Sequence, residues 1–331
     1  MSISRERQRD LLVSQLPHGV FTCQDGDSVG VSVAQLRTLV AHGRLDRVAH
    51  GLYRVVQWTE LAEADWIVAR ARQVGPKAVV AHASAAVLWG LRTPYLPDEH
   101  ARTLWTLRSR EAFGAHRQPD VRILPAQFEP WHVTELHGVK VTTLARTTLD
   151  LARSCPFERA LVVMDHALAL GVTAVELIRI AQYMNGWPGS RVFRPAIAWA
   201  DALSESALES IARGRTLASA LPPPTLQHGL VGASGATYRG DLVWPENGVV
   251  LELDGREKLD LGRVALIREK QREDDIRAAS WQVVRMMYED IYDVEQVRWR
   301  QLAGLLGVGL APYNPEFGMK PRWVTGRPTT R

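Results

Sequence analysis

The chain has 331 residues, 46% hydrophobic and 23% charged, with a formal net charge of +4. This composition excludes a disordered or collagen-like polymer, and the length suits two or three domains. The sequence holds no run of 18 apolar residues, so a membrane-spanning helix is not expected, and Cys23 and Cys155 fit neither a disulfide framework nor a metal-ligand spacing. The charged first ten residues have no apolar stretch behind them, so a secretory leader is not expected and the setting reads as reduced and cytoplasmic. The basic excess is compatible with nucleic acid without requiring it. Its carrier is mainly arginine, because lysine occurs only at 77, 140, 258, 270 and 320.

Residues 1–57 read as a small winged helix-turn-helix. Leu11, Leu12 and Leu16 give a first helix its apolar stripe. Val20-Phe21-Thr22 makes a short strand, with Thr22 placed to cap a second helical turn. Ser32 followed by Gln35 is a capping-box pattern, opening a helix through Leu36, Leu39 and Val40 that stops at Gly43. Leu45–Ala49 and Leu52–Val55 then alternate as two strands about His50-Gly51, a wing.

Residues 58–200 read as a mixed α/β connector, with helices at 63–73, 83–91, 142–152 and 158–170 and strands at 103–107 and 121–124. His100, Arg102, Arg108, Arg110, His116, Arg117 and Arg122 make a basic stretch there that reads as a solvated face.

Residues 201–309 read as one compact α/β unit: a helix over 204–218 stopped by Pro222-Pro223-Pro224, a strand, a hairpin, a second helix, a strand and a last helix. Residues 310–331 are rich in Pro, Gly and Arg and read as an extended tail.

The hairpin carries the chemistry. Two apolar runs, ending at Trp244 and resuming at Val249, flank Pro245-Glu-Asn-Gly248. Pairing Trp244 with Val249 sets Asp241 opposite Glu252, with Cβ atoms roughly 4.5–5.5 Å apart. Asp254 lies two residues on and shares the face of Glu252. Like charges held face to face on an apolar ribbon repel, and a divalent cation removes that penalty while keeping waters for hydrolysis. The bland alternative is that Asp241 and Asp254 are solvated strand-end residues. Glu205 and Glu209, four apart on the preceding helix, are candidates to join such a shell through water, and the charges over 266–279 read as a solvated face of paired side chains.

These residues resemble a known family. Glu205…Glu209…Arg213, Arg239-Gly-Asp241…Trp244-Pro245, Glu252-Leu-Asp254-Gly255…Lys258, Glu269-Lys270…Arg272-Glu273 and Trp281…Arg285 are similar to the domain allied to very-short-patch-repair endonucleases, of the PD-(D/E)XK restriction-endonuclease-like fold. The resemblance implies Asp241 and Glu252 as ligands of Mg²⁺ or Mn²⁺, with Asp254 and Glu209 assisting. It also exposes a departure: the motif lysine is replaced by Asp254, so Lys258 or Lys270 would have to supply the ammonium that poises water. The N-terminal end, through Gly19-Val-Phe21-Thr22, Gly30-Val-Ser32, Gly43-Arg44 and His50-Gly51-Leu-Tyr53-Arg54, resembles the winged helix of AbiEi-type antitoxins. Segments around His82–Leu91 and Thr143–Ala152 resemble parts of multidomain proteins frequent in actinobacteria.

Two functions follow. One is a metal-dependent DNA endonuclease delivered to duplex DNA by its winged helix. The other is an antitoxin or transcriptional regulator with an inactive nuclease fold and a cognate toxin as protein partner. In both, the helix after Ser32 enters the major groove, Arg37 lies on that helix, and Arg44, Arg47 and Arg54 reach DNA phosphates.

Overall fold

The computed structural model describes residues 5–15, 20–55, 63–93, 104–108, 120–254, 263–314 and 317. Lys258, most of the 100–117 basic stretch and most of the 310–331 tail lie outside them. The chain divides into two compact units, residues 1–91 with 95–147, and residues 92–94 with 148–331. The division falls inside the stretch read as a connector.

The first unit opens with α1 (Arg5–Gln15), β1 (Val20–Thr22), α2 (Cys23–Ser28), α3 (Val33–Ala41), β2 (Leu45–Ala49) and β3 (Leu52–Val55). Both helix starts expected from the sequence are capped as the residue types dictate. Thr22 and Asp25 form one capping box and Ser32 and Gln35 another, with the Ser32 N–H donating to Gln35 Oε1 at 2.7 Å. Gly43 ends α3 at φ +64°, a backbone state that costs glycine nothing. The three strands pair in the order β1-β3-β2. Alternation gives the sheet two faces. Phe21, Leu45, Tyr53 and Val55 meet Leu36 and Leu39 of α3 on one, and Val20 and Leu52 meet Ala69 on the other.

Ala69 belongs to α4 (Glu63–Val74), which is followed by β4 (Val79–Val80), α5 (His82–Trp89), β5 (Leu104–Arg108), β6 (Val121–Pro125), β7 (Val133–Leu136) and β8 (Val139–Thr142). These strands form a sheet in the order β6-β5-β4-β8-β7, with β5 and β6 parallel. Trp66, Ile67, Ala85 and Leu88 of α4 and α5 bury against Val80, Leu104 and Val141. This mixed sheet carries both connector strands expected from the sequence. It adds the two-residue β4 and the β7–β8 hairpin, whose turn has His137 and Gly138 at φ +52° and +71°.

The chain continues through α6 (Leu144–Ala152), α7 (Phe157–Ala169), α8 (Ala174–Tyr183), α9 (Phe193–Trp199), α10 (Ala207–Ala218), β9 (Thr225–Val231), β10 (Thr237–Trp244), β11 (Val249–Asp254), α11 (Arg263–Ala278), β12 (Gln282–Met287), α12 (Tyr288–Ile291) and α13 (Val297–Leu305). In the second unit, helices α7 and α10 lie in unusually close contact. A Cβ on Gly214 would sit 2.5 Å from the Glu158 Cα, so only glycine fits there. Beside it, Arg213 grips Asp165 through two hydrogen bonds of 2.7 and 2.8 Å, with both side chains buried. Burial still raises the Asp165 carboxyl above its ordinary range, although Arg213 opposes the rise.

Strands β9 to β12 form a sheet in the order β12-β11-β10-β9, antiparallel except for the parallel β11–β12 pair, which α11 connects. The register pairs Trp244 with Val249 and Leu242 with Leu251, as the turn residues predict. Leu242, Trp244, Val249, Leu251 and Leu253 bury on the side of Ile211 and Ala212 from α10 and Trp299 and Leu302 from α13. Val243 and Val250 bury on the other side against Ile276 of α11. Glu252 and Asp254 follow Val250 in the alternation, so they point toward α11.

Candidate functional site

Two constellations are candidate sites, one in each unit. The first lies at the winged helix. The exposed face of α3 presents Val33, Ala34, Arg37, Thr38 and Ala41. Arg47 is exposed on β2, and its register partner is Tyr53. Burial raises the Tyr53 phenol above its ordinary range, helped by the Cys23 thiol, which donates to it at 3.9 Å. The positive charges of Arg47 and Arg37 oppose that rise. Two exposed arginines from different elements, Arg37 on α3 and Arg47 on β2, thus belong to the α3 side of the sheet. Arg44, just ahead of β2, is exposed as well.

Arg54 does not join them. It pairs across the ladder with Asp46 at 2.6 Å. Alternation sets both on the α4 side of the sheet, opposite Arg47 and Tyr53. Of the four arginines expected at DNA, three are exposed on or beside the α3 side and one is engaged elsewhere.

The second constellation is the acidic hairpin. Asp241 Oδ2 accepts the Leu253 N–H at 2.9 Å, one step past the last paired residues of the ladder. On its other side, the β9–β10 ladder skips Gln227, which would face Asp241 and holds φ +51°. That left-handed state is uncommon for a residue with a side chain. It accompanies a hydrogen bond from the Gln227 amide to Glu209 Oε2 at 2.8 Å. Glu209 is buried and also accepts the Glu205 N–H at 2.9 Å. Burial raises its carboxyl above the ordinary range, and the negative charge of Asp241 adds to the rise. Glu205 and Glu209 do not share a helix face, because α10 begins after its cap at Ser206. Glu205 is exposed and pairs with Arg239 at 2.7 Å.

Glu252 is 4% exposed and is held by a guanidinium. Arg272 Nη2 meets Oε1 at 3.0 Å and Nη1 meets Oε2 at 3.3 Å, and the same fork reaches Glu269 at 3.1 Å and the Arg239 carbonyl at 2.8 Å. Arg285, the register partner of Glu252 on β12, bonds Glu269 at 2.8 Å, Glu273 at 2.9 Å and Asp254 at 3.3 Å. The acids and arginines alternate along a chain from Glu252 through Arg272, Glu269 and Arg285 to Asp254. This corrects the reading of the α11 charges as a solvated face: Glu269, Arg272 and Glu273 are half-buried against β11 and β12. Lys270 is exposed, and the α11 cation that reaches Glu252 is Arg272.

This donor set does not suit a divalent ion as it stands. Glu252 already carries a bidentate cation, and Asp241 spends an oxygen on a backbone N–H. Among the described residues, no group of three or more His, Cys, Asp or Glu side chains is arranged to hold a metal. From the sequence, Arg272 and Arg285 stand out only as residues that carry the resemblance, and neither they nor Gln227 were given a role at the site. For the arginines a signal existed: positions 269, 272, 273 and 276 recur on one helical face, and Ile276 marks that face as the buried one.

Comparison with known proteins bears mainly on the first constellation. Residues 11–56 match the family model AbiEi_4, described as transcriptional regulator, AbiEi antitoxin. Two relatives from Mycobacterium tuberculosis, the uncharacterized proteins Rv2248 (strain H37Rv) and MT2308 (strain CDC 1551), are each 27% identical over 258 residues. The alignments span 78% of this chain and 90% of theirs. The crystal structure of the Rv2827c protein from the same species aligns with 64% of this chain and 82% of its own at 16% identity, with a TM-score of 0.38. No helix among the described residues is long and apolar enough to cross a membrane. The chain thus carries an AbiEi antitoxin-like domain at its N-terminal end, over residues 11–56.

Proposed function

We propose that this protein is a DNA-binding regulator of the AbiEi-antitoxin type, which contacts duplex DNA through α3 and the β2–β3 wing and uses its C-terminal α/β unit as a scaffold. The observation that carries the reading is that Arg37 on α3, Arg44 ahead of β2 and Arg47 on β2 are all exposed, with Arg47 on the α3 side of the sheet, beside a helix face that is small and uncharged apart from Arg37. An arginine on a helix face can reach base edges, and arginines on a wing neutralise phosphates. A cognate toxin as protein partner belongs to the same reading, since the matched family is described as an antitoxin.

The test is binding of the full chain to duplex DNA over a range of salt. Affinity should fall steeply with salt, and Arg47→Ala should reduce the slope of log K against log salt by about 1. Salt-insensitive binding, or none, rejects the reading.

A second reading, a Mg²⁺- or Mn²⁺-dependent DNA endonuclease, draws support from a hairpin that carries Asp241 and Glu252 just past its last paired residues, and from the negative charge of Asp241 that helps raise the Glu209 carboxyl. On it, Asp241 and Glu252 would hold the ion, with Arg272 displaced from Glu252. Supercoiled plasmid incubated with Mg²⁺ or Mn²⁺, against EDTA and beside Glu252→Ala and Asp241→Ala, separates the two. Metal-dependent nicking that both substitutions abolish establishes the enzyme and removes the scaffold role.

A further inference from the structure

Helices α8 and α9 enclose an open apolar groove of about 500 Å³ in the second unit. Its walls include Ile178 and Ala181 on α8 and Phe193 and Ile197 on α9. Leu177, Ile180 and Met184 already fill the inner side of α8, each at most 3% exposed, so the groove is not a gap left by a missing core residue. Ile178 is 45% exposed and Val175, one turn earlier, is 75% exposed. With Gln182 they form an outward stripe at i, i+3 and i+7 along α8, the spacing that receives or makes a helical contact. The apolar strip extends beyond the cavity to Val175, which is longer than a small ligand would cover.

Among the described residues that line the groove, the one charged side chain is an arginine. Arg194 lines it and is exposed, and Arg179 and Arg191 are exposed nearby on the same two stretches of chain. No acidic residue lines it. The acid on α8, Glu176, lies beside Val175 in the first turn of the helix, where its carboxylate accepts the Thr173 N–H and hydroxyl at 2.8 Å each.

We propose that the α8–α9 groove is a docking site for a helical segment of a partner protein, with an apolar face seated on Ile178, Phe193 and Ile197 and acidic residues facing Arg194 and its neighbours. The inference does not rest on the DNA reading, because none of its residues belongs to the winged helix. The occupant is specified by complementarity: an apolar ridge for the floor and carboxylates for an arginine rim, which also steer encounter.

The experiment titrates the full-length chain against fluorescent helical peptides of about four turns, with leucines at i, i+3, i+4 and i+7 and either glutamates or lysines on the flanks. The glutamate peptide should bind at least about tenfold more tightly than the lysine peptide. Ile178→Asp should abolish binding, and Arg194→Glu should reverse the preference. Both positions are exposed, so circular dichroism melts of the variants should overlay the wild type. A melt shifted by Ile178→Asp leaves the charge-reversal result to decide. Failure of every peptide to bind, equal binding of both, or indifference to both substitutions overturns the proposal. So does sedimentation that finds a dimer dissolved by Ile178→Asp, which makes the occupant a second copy of this chain.

Discussion

The winged helix and the acidic hairpin use arginine in opposite ways. In the first, Arg37, Arg44 and Arg47 project to solvent, while Arg54 pairs with Asp46. In the second, Arg272 and Arg285 are drawn inward onto Glu252, Glu269, Glu273 and Asp254. A carboxylate on a buried face needs a counter-charge, and here guanidinium forks supply it. An exposed arginine whose charge is not consumed internally is available to a ligand. The same residue type thus marks a candidate binding surface at one end and a neutralised interior at the other.

The contrast breaks most visibly by deletion of an inward arginine. Arg213→Ala leaves Asp165 buried and uncompensated, and should cost about 3–5 kcal/mol. Unfolding in denaturant should show it, with the second unit losing protection in hydrogen exchange. Arg272→Ala removes the bidentate partner of Glu252 and should cost about 1–3 kcal/mol, less because Arg272 is itself partly exposed. If Glu252 were built for a cation, millimolar Mg²⁺ would restore the melting temperature of Arg272→Ala. The scaffold reading predicts no recovery. Gly214→Ala should cost a similar amount, about 1–3 kcal/mol, because its methyl meets the backbone of α7.

Outward arginines should behave differently. Arg37→Ala and Arg47→Ala should leave stability within about 0.5 kcal/mol while weakening DNA binding. The smallest effect concerns pH. Glu209 has a raised carboxyl in the folded state, so its contribution to stability is fully present below the ordinary glutamate range and is lost as pH rises through the folded value. Glu209→Gln removes that loss. Its melting temperature should exceed the wild type by a degree or two at pH 8 and match it near pH 4. A larger advantage in acid than in base would contradict the shift.

Much of this was legible in the sequence where local chemistry decides. Thr22, Ser32 with Gln35, Gly43 and His50-Gly51 each fix a cap or turn by side-chain type, and the winged helix follows from them. The Pro245–Gly248 turn likewise set the hairpin register. The β7–β8 hairpin hid because His137 occupies a turn position where Asn or Asp is the usual signal, although Gly138 was present. Strand β4 has two residues, too few for any period to show. The ion-pair chain was illegible for another reason: helix α11 has strong charge on all sides, and only its packing on β11 and β12 separates half-buried Glu269 and Arg272 from exposed Lys270. The acids Asp241 and Glu252 were visible on the hairpin, but the ladder ends at Leu242 and Leu251, and the identity of what neutralises Glu252 depends on a residue twenty positions away.

The most direct test of the account is the salt dependence of duplex DNA binding by the full chain, measured by fluorescence anisotropy for the wild type and the Arg37→Ala/Arg47→Ala double variant. The account predicts a steep negative slope for the wild type, flattened by about one phosphate contact in the double variant, with a further loss of affinity at every salt concentration from Arg37. Coincident curves for the two proteins would contradict it.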